Sequence, residues 1–94
     1  MRTVICYDVA DDKRRREVVK ALETCAMRVQ ESVFEAMDLD PAGYLRMRSR
    51  VERVLRDAED GVRYYRLCAA CLERMEHFGV GVGVLPPPEG FKLV

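Results

Sequence analysis

The sequence predicts a small two-layer α/β sandwich. Strand-like runs alternate with amphipathic helical segments in a chain of 94 residues. Two of the helices are long enough to cover one face of a sheet. The other face is left for solvent or a partner. The first strand is too apolar for open water, so pairing of that face is expected, and a chain this small often adds burial by pairing with a copy of itself.

Residues 3–9, TVICYDV, form a near-continuous apolar run rich in β-branched and aromatic residues, which suits a strand covered on both faces. Asp8 breaks the run, before the turn-like ADD. Residues 12–26 read as a helix: Val18, Leu22 and Cys25 recur at helical spacing, Val19, Ala21 and Ala26 broaden the stripe, and Asp11 can cap it. Residues 28–37, RVQESVFEAM, read as one strand. Alternation then puts Arg28, Gln30, Ser32 and Phe34 on one face and Val29, Glu31, Val33 and Glu35 on the other. Neither face is cleanly apolar or polar, as in a sheet that meets another molecule.

Asp40-Pro41 is a helix start, a capping residue followed by Pro in the first turn. That helix runs to about Arg56, with Tyr44, Met47, Val51 and Val54 on one side. DGVRYYRL is a turn and a third strand, CAACLERMEH a short helix, and FGVGVGVL a fourth strand with Gly at every second position. The following PPP prefers an extended polyproline conformation and acts as a stiff spacer. FKLV then reads as a strand that can leave its own subunit and pair with another sheet edge. The chain thus divides into a folded domain, 1–85, and a Pro-rich arm with a C-terminal strand, 86–94.

Apolar residues make up 49% of the chain and charged ones 34%, as in a globular protein, and the formal net charge is zero. Overall charge therefore does not announce a nucleic-acid binder. The distribution says more, because basic residues outnumber acidic ones from Lys13 to Arg56. No apolar run approaches bilayer length, so no membrane association is expected. The opening MRTVICYDV lacks a signal-peptide layout, which points to a cytoplasmic protein with reduced cysteines.

Asp8 is placed at the sheet rim, where βα loops host ligands. One carboxylate makes a poor Mg²⁺ site. Two copies packed sheet to sheet can bring two Asp8 carboxylates together to share one divalent ion. Arg14, Arg15 and Arg16 oppose the macrodipole of the first helix, and cations beside free N–H groups suit a phosphate. Arg46, Arg50 and Arg53 form a stripe opposite the apolar side of the second helix. Both groups stand either as phosphate contacts or as solvated charge. Cys68-Ala-Ala-Cys71 has zinc or redox spacing. A Cys₄ site would need two subunits or the distant Cys6 and Cys25, and a thioredoxin-like role would want the motif directly after a strand within the right βαβ context. The plainer reading is small thiols packing a short helix. His77 is the only histidine, and no Ser–His–Asp or Cys–His pair stands out.

YDVADDKRRREVVKALE, RVQESVFEA, VRYYRLC and the short end strand together resemble the small CRISPR-associated adaptation protein, the Cas-two family, over nearly the whole chain. The resemblance implies a ferredoxin-like two-layer sandwich and a homodimer joined by C-terminal strand exchange. It also implies a spacer-acquisition subunit that bridges a Cas-one type integrase, and some members are assigned metal-dependent endonuclease activity on RNA or DNA, which implies Mg²⁺ or another divalent cation at the dimer interface. Asp8 matches the family's catalytic, metal-binding Asp. Arg15 and Arg28 match basic positions that bind nucleic acid, and Phe34 matches the aromatic of RVQxSVF. Tyr7, Phe34, Phe91 and Leu93 are the expected interface residues. Glu17 and Glu31 depart from the pattern by adding negative charge beside the expected nucleic-acid surface. Two roles follow: a nuclease, or an adaptor that sets the distance between integrase units and contacts duplex DNA through phosphates. Outside the family, the alternative is a non-catalytic ferredoxin-like nucleic-acid-binding module.

Overall fold

A computed structural model describes residues 1–85. The expected arm, 86–94, with the interface candidates Phe91 and Leu93, lies outside the described residues. In chain order the elements are β1 (Arg2–Asp8), α1 (Asp12–Glu23), β2 (Met27–Gln30), β3 (Val33–Ala36), α2 (Pro41–Val54), β4 (Gly61–Leu67) and α3 (Ala69–Glu73). The strands form one sheet in the order β2-β3-β1-β4, with every neighbouring pair antiparallel. Helices α1 and α2 each connect strands that are not neighbours, and they pack together on one face. This is the two-layer sandwich that the alternation of elements implied, in the ferredoxin-like form that the family resemblance implied.

Both long helices begin as their sequences require. The Asp11 carboxylate accepts from the Arg14 N–H at 2.9 Å, and Asp40 accepts from the Gly43 N–H at 2.7 Å, with Pro41 in the first turn. Each cap satisfies an otherwise orphaned donor. Helix α1 ends at Glu23, earlier than its apolar spacing suggested. Thr24 caps it, and the Cys25 and Ala26 N–H groups both turn back to the Leu22 carbonyl.

The core lies between the sheet and these helices. Ile5 and Tyr7 of β1 and Phe34 and Ala36 of β3 meet Val18 and Leu22 of α1 and Met47 and Val51 of α2. Register decides which residues face it. Ile5 pairs with Phe34 on one side and Tyr64 on the other, and Tyr7 pairs with Val62, so these share the helix face. Arg2, Val4, Cys6 and Asp8 take the opposite face with Arg63, Tyr65 and Leu67.

Three expectations are corrected. RVQESVFEAM is not one strand but a hairpin, β2 and β3, turned at Glu31-Ser32, with a bulge between Arg28 and Gln30. The mixed faces of the single-strand reading were two strands read as one. Tyr7 and Phe34 are 5% and 1% exposed within one chain, so their rings belong to the core and not to an open interface. FGVGVGVL forms no strand. Gly79 and Gly81 take φ of 95° and 125°, a region L side chains rarely adopt, and the chain bends there instead of extending.

Candidate functional site

Asp8 ends β1, solvent-exposed, opposite Gly61 of β4. Its carboxylate makes no hydrogen bond or ion pair among the described residues. Beside it is an open depression of about 370 Å³ lined by Cys6, Tyr7, Asp8, Gly61, Val62 and Arg63. Arg63 pairs with Cys6, two residues before Asp8 on the same face, and donates to the Tyr65 hydroxyl at 3.3 Å. A free carboxylate and an exposed guanidinium thus share one end of the sheet face opposite the helices. Burial pushes the Cys6 thiol up, against the opposing pull of Arg63, so Cys6 is disfavoured as a thiolate there.

A second carboxylate, Asp60, fixes this end of the sheet. Its side chain has no solvent exposure. It accepts from the Ala10 N–H at 3.0 Å, the Arg56 N–H at 3.0 Å and Arg14 Nε at 2.8 Å. The Arg14 side-chain bond, then the Arg56 N–H, hold its carboxyl well below the usual carboxylate range, against the opposing effect of burial. Arg14 Nη2 also reaches Glu59 Oε2 at 2.8 Å. Asp60 therefore ties the β1–α1 loop and α1 to the residue before β4, next to the strand pair that presents Asp8. Sequence reasoning missed Asp60, though the Asp-Gly pair before the third strand marked a turn. It also missed Arg63, which strand alternation in GVRYYRL could have placed.

The basic candidates separate. Arg14 is spent on Asp60 and Glu59, so it is a structural cation with a side chain only 13% exposed. Arg15 pairs with Asp12 at 2.6 Å and donates to the Val9 carbonyl at 3.1 Å. Arg16 is exposed and makes no such bond among the described residues. Arg15, Arg16 and Arg28, with Lys20, line one cleft of about 300 Å³ between α1 and β2. Arg28 lies over the Phe34 ring at 5.5 Å and donates to the Tyr7 hydroxyl at 3.2 Å, and Tyr7 in turn donates to the Glu31 carbonyl at 3.0 Å. The family's aromatic position thus acts from beneath, by holding Arg28 at the cleft. Arg46, Arg50 and Arg53 are exposed on α2 at spacings that share one helix face. Arg50 reaches Thr24 Oγ1 at 3.1 Å and Arg53 reaches Ser49 Oγ at 3.4 Å.

The family model for CRISPR associated protein Cas2 matches residues 1–75. The chain belongs to the Cas2 family. A CRISPR-associated endoribonuclease Cas2 of Chloroflexus aurantiacus is 45% identical to this Cas2-family chain over 87 residues, covering 92% of it and 88% of that relative. The crystal structure of Streptococcus pyogenes Cas2 superposes with a TM-score of 0.74 at 31% identity, covering 84% of this chain and all of the other. A chain from a partial Cas6-RT-Cas1–Cas2 complex superposes with a TM-score of 0.70 at 26% identity, covering 81% and 88%.

The Cas2 fold brings a metal into question, and the donor set answers it in part. No three His, Cys, Asp or Glu side chains are grouped to hold an ion among the described residues. At this end of the sheet the described residues offer one free carboxylate, Asp8, and Mg²⁺ is ordinarily held by one or two carboxylates with waters and substrate phosphates. The residues fit such an ion only if a second copy adds its own Asp8. No described helix is long and apolar enough to cross a membrane.

Proposed function

We propose that this chain is a cytoplasmic adaptation subunit of a CRISPR system. As a homodimer it bridges Cas1-type integrase units and holds duplex nucleic acid, and it has weak metal-dependent endonuclease activity on RNA or DNA. The observation that carries the reading is Asp8: an exposed, unpartnered carboxylate at the end of β1, beside Arg63 and on a frame fixed by Asp60. The names of the relatives support nuclease activity and an association with Cas1. Two features support the homodimer. One is the sheet face opposite the helices, which the segment ending at Leu85 covers only at the Arg2 end and which leaves Val4 and Leu67 half-buried and Tyr65 exposed. The other is the segment after α3, where Phe78 and Val80 are 99% and 96% exposed and lack a cover in one chain.

In this reading Asp8 and its symmetry mate would hold Mg²⁺. The bound ion would stabilise charge on the phosphodiester and make water more acidic. The chain's own residues do the rest. Arg63 neutralises phosphate at the same end of the sheet, and Arg15, Arg16 and Arg28 anchor the backbone in their cleft. The adaptor role needs the dimer and the basic surfaces but not the Asp8 carboxylate, and the described residues offer no separate general base at the site.

Asp8→Asn separates the two roles. Asn keeps the shape and can accept hydrogen bonds, but it loses the charge that holds a hard cation. Mg²⁺-dependent cleavage should disappear, while folding, integrase binding and spacer acquisition persist. Undiminished cleavage by the variant would remove Asp8 from the chemistry. A variant that folds and binds integrase yet fails to support acquisition would make cleavage part of the cellular role.

A further inference from the structure

Cys68 and Cys71 take no part in the function proposed above. They do not pack the core either: both are exposed, whereas Cys6 and Cys25 are partly covered. The packing role expected of them from sequence is thereby corrected. The context set for a thioredoxin-like role is met only in part, because no strand follows α3 among the described residues and no βαβ unit forms there. Cys68 directly follows β4, which ends at Leu67, and α3 begins at Ala69. The two Sγ atoms are 3.5 Å apart. Residues three apart across a helical turn have Cα atoms about 5 Å apart, inside the range a disulfide spans without backbone movement.

The two thiols are not equivalent. The Cys68 sulfur is not a full capping acceptor. The Cys71 N–H nevertheless lies near it, as do the Cys71 thiol and the Ala70 N–H, and together they hold the Cys68 thiol below the ordinary thiol range. A metal reading lacks ligands, since no third His, Cys, Asp or Glu joins the pair among the described residues.

We propose that Cys68 and Cys71 form a thiol–disulfide exchange site that reacts with small disulfides of the glutathione type, Cys68 attacking and Cys71 resolving. The Cys68 thiolate attacks one sulfur of the external disulfide. A Cys68–SR bond forms, the RS–SR bond breaks, and one thiolate leaves. Cys71 gives its proton to solvent and attacks Cys68 Sγ. The Cys68–Cys71 bond forms and the second thiolate leaves. Two protein thiols are oxidised and one external disulfide is reduced to two thiols, which regain through solvent the two protons the protein thiols gave up. Excess thiol reverses the sequence.

The test equilibrates the full-length chain with mixtures of reduced and oxidised glutathione, then maps thiols by alkylation and mass spectrometry. The expected result is a Cys68–Cys71 disulfide, two hydrogens lighter, whose population follows the glutathione ratio reversibly. Cys71→Ser should trap glutathione on Cys68. Cys68→Ser should acquire glutathione on Cys71 several-fold more slowly. Both positions are exposed, and circular dichroism should show both variants folded. The proposal is overturned if no disulfide forms at any ratio, or if Cys6 and Cys25 react as fast as Cys68. It is also overturned if the purified chain carries stoichiometric zinc that shields both thiols and is lost in Cys68→Ser, which would make the pair a shared metal half-site.

Discussion

Replacing Phe34 by Ala tests the placement of the family's aromatic in the core. The ring is 1% exposed, sits 6.2 Å from the Tyr7 ring centroid, and carries Arg28 over its face at 5.5 Å. Truncating a fully buried Phe to Ala costs roughly 3–5 kcal/mol in transfer and cavity terms. The exposed Arg28 adds about 0.5–1 kcal/mol through its lost ring contact. Total stability for a domain of this length is roughly 5–14 kcal/mol, so the loss is a large share of it. With a urea m-value of about 1.5–2 kcal/mol/M, a loss of about 4 kcal/mol lowers the midpoint by roughly 2–3 M. Phe34→Leu keeps most of the volume and should lose less than half as much. The assay is urea unfolding followed by far-UV circular dichroism at two protein concentrations, which separates loss of the fold from loss of dimerisation. The opposite pattern would refute the core placement: a midpoint for Phe34→Ala within about 0.3 M of the parent at high concentration, where the m-value gives a change of only about 0.5 kcal/mol, together with a weakened dimer.

Asp60 should shape the acid limb of stability. Its folded-state pKa lies below its ordinary value of 3.8, so its contribution is present above that value and is lost as pH falls from about 4 toward the lower folded value. Melting curves of Asp60→Asn should be flatter than the parent's over that range, with a residual slope from Glu52, whose pKa is lowered by Arg48 and Tyr64. A slope equal to the parent's would remove Asp60 from the hub. Changing Arg46, Arg50 and Arg53 together to Ala should weaken duplex binding across sequences and flatten its salt dependence by about 0.9 per lost phosphate contact. An unaltered slope returns that stripe to solvated charge.

The sequence by itself determined where the two long helices begin and which of their faces are buried. Asp11, Asp40 and Pro41 set the helix starts because a cap acts within three residues, and the apolar spacing of Val18, Leu22, Met47 and Val51 marked the faces that meet the sheet. Asp8 was legible as a strand-ending carboxylate for the same local reason. Only the tertiary structure decided what these segments do together. Strand alternation has no memory of a turn, so a bulged hairpin at residues 27–36 read as one mixed strand until Arg28 was paired with Phe34 across it. Three arginines in a row look alike in sequence. Arg14 became a structural cation because Asp60, 46 residues away, offers it a covered carboxylate, while Arg15 and Arg16 were left at the cleft. Arg63 joined Asp8 through register, and Cys68 and Cys71, neighbours by their own spacing, were left exposed by the way the fold covers other residues, which local spacing does not encode. Local hydrogen bonding and helical periodicity are written in neighbouring residues, whereas charge pairing and exposure depend on which distant residues the sheet order brings alongside.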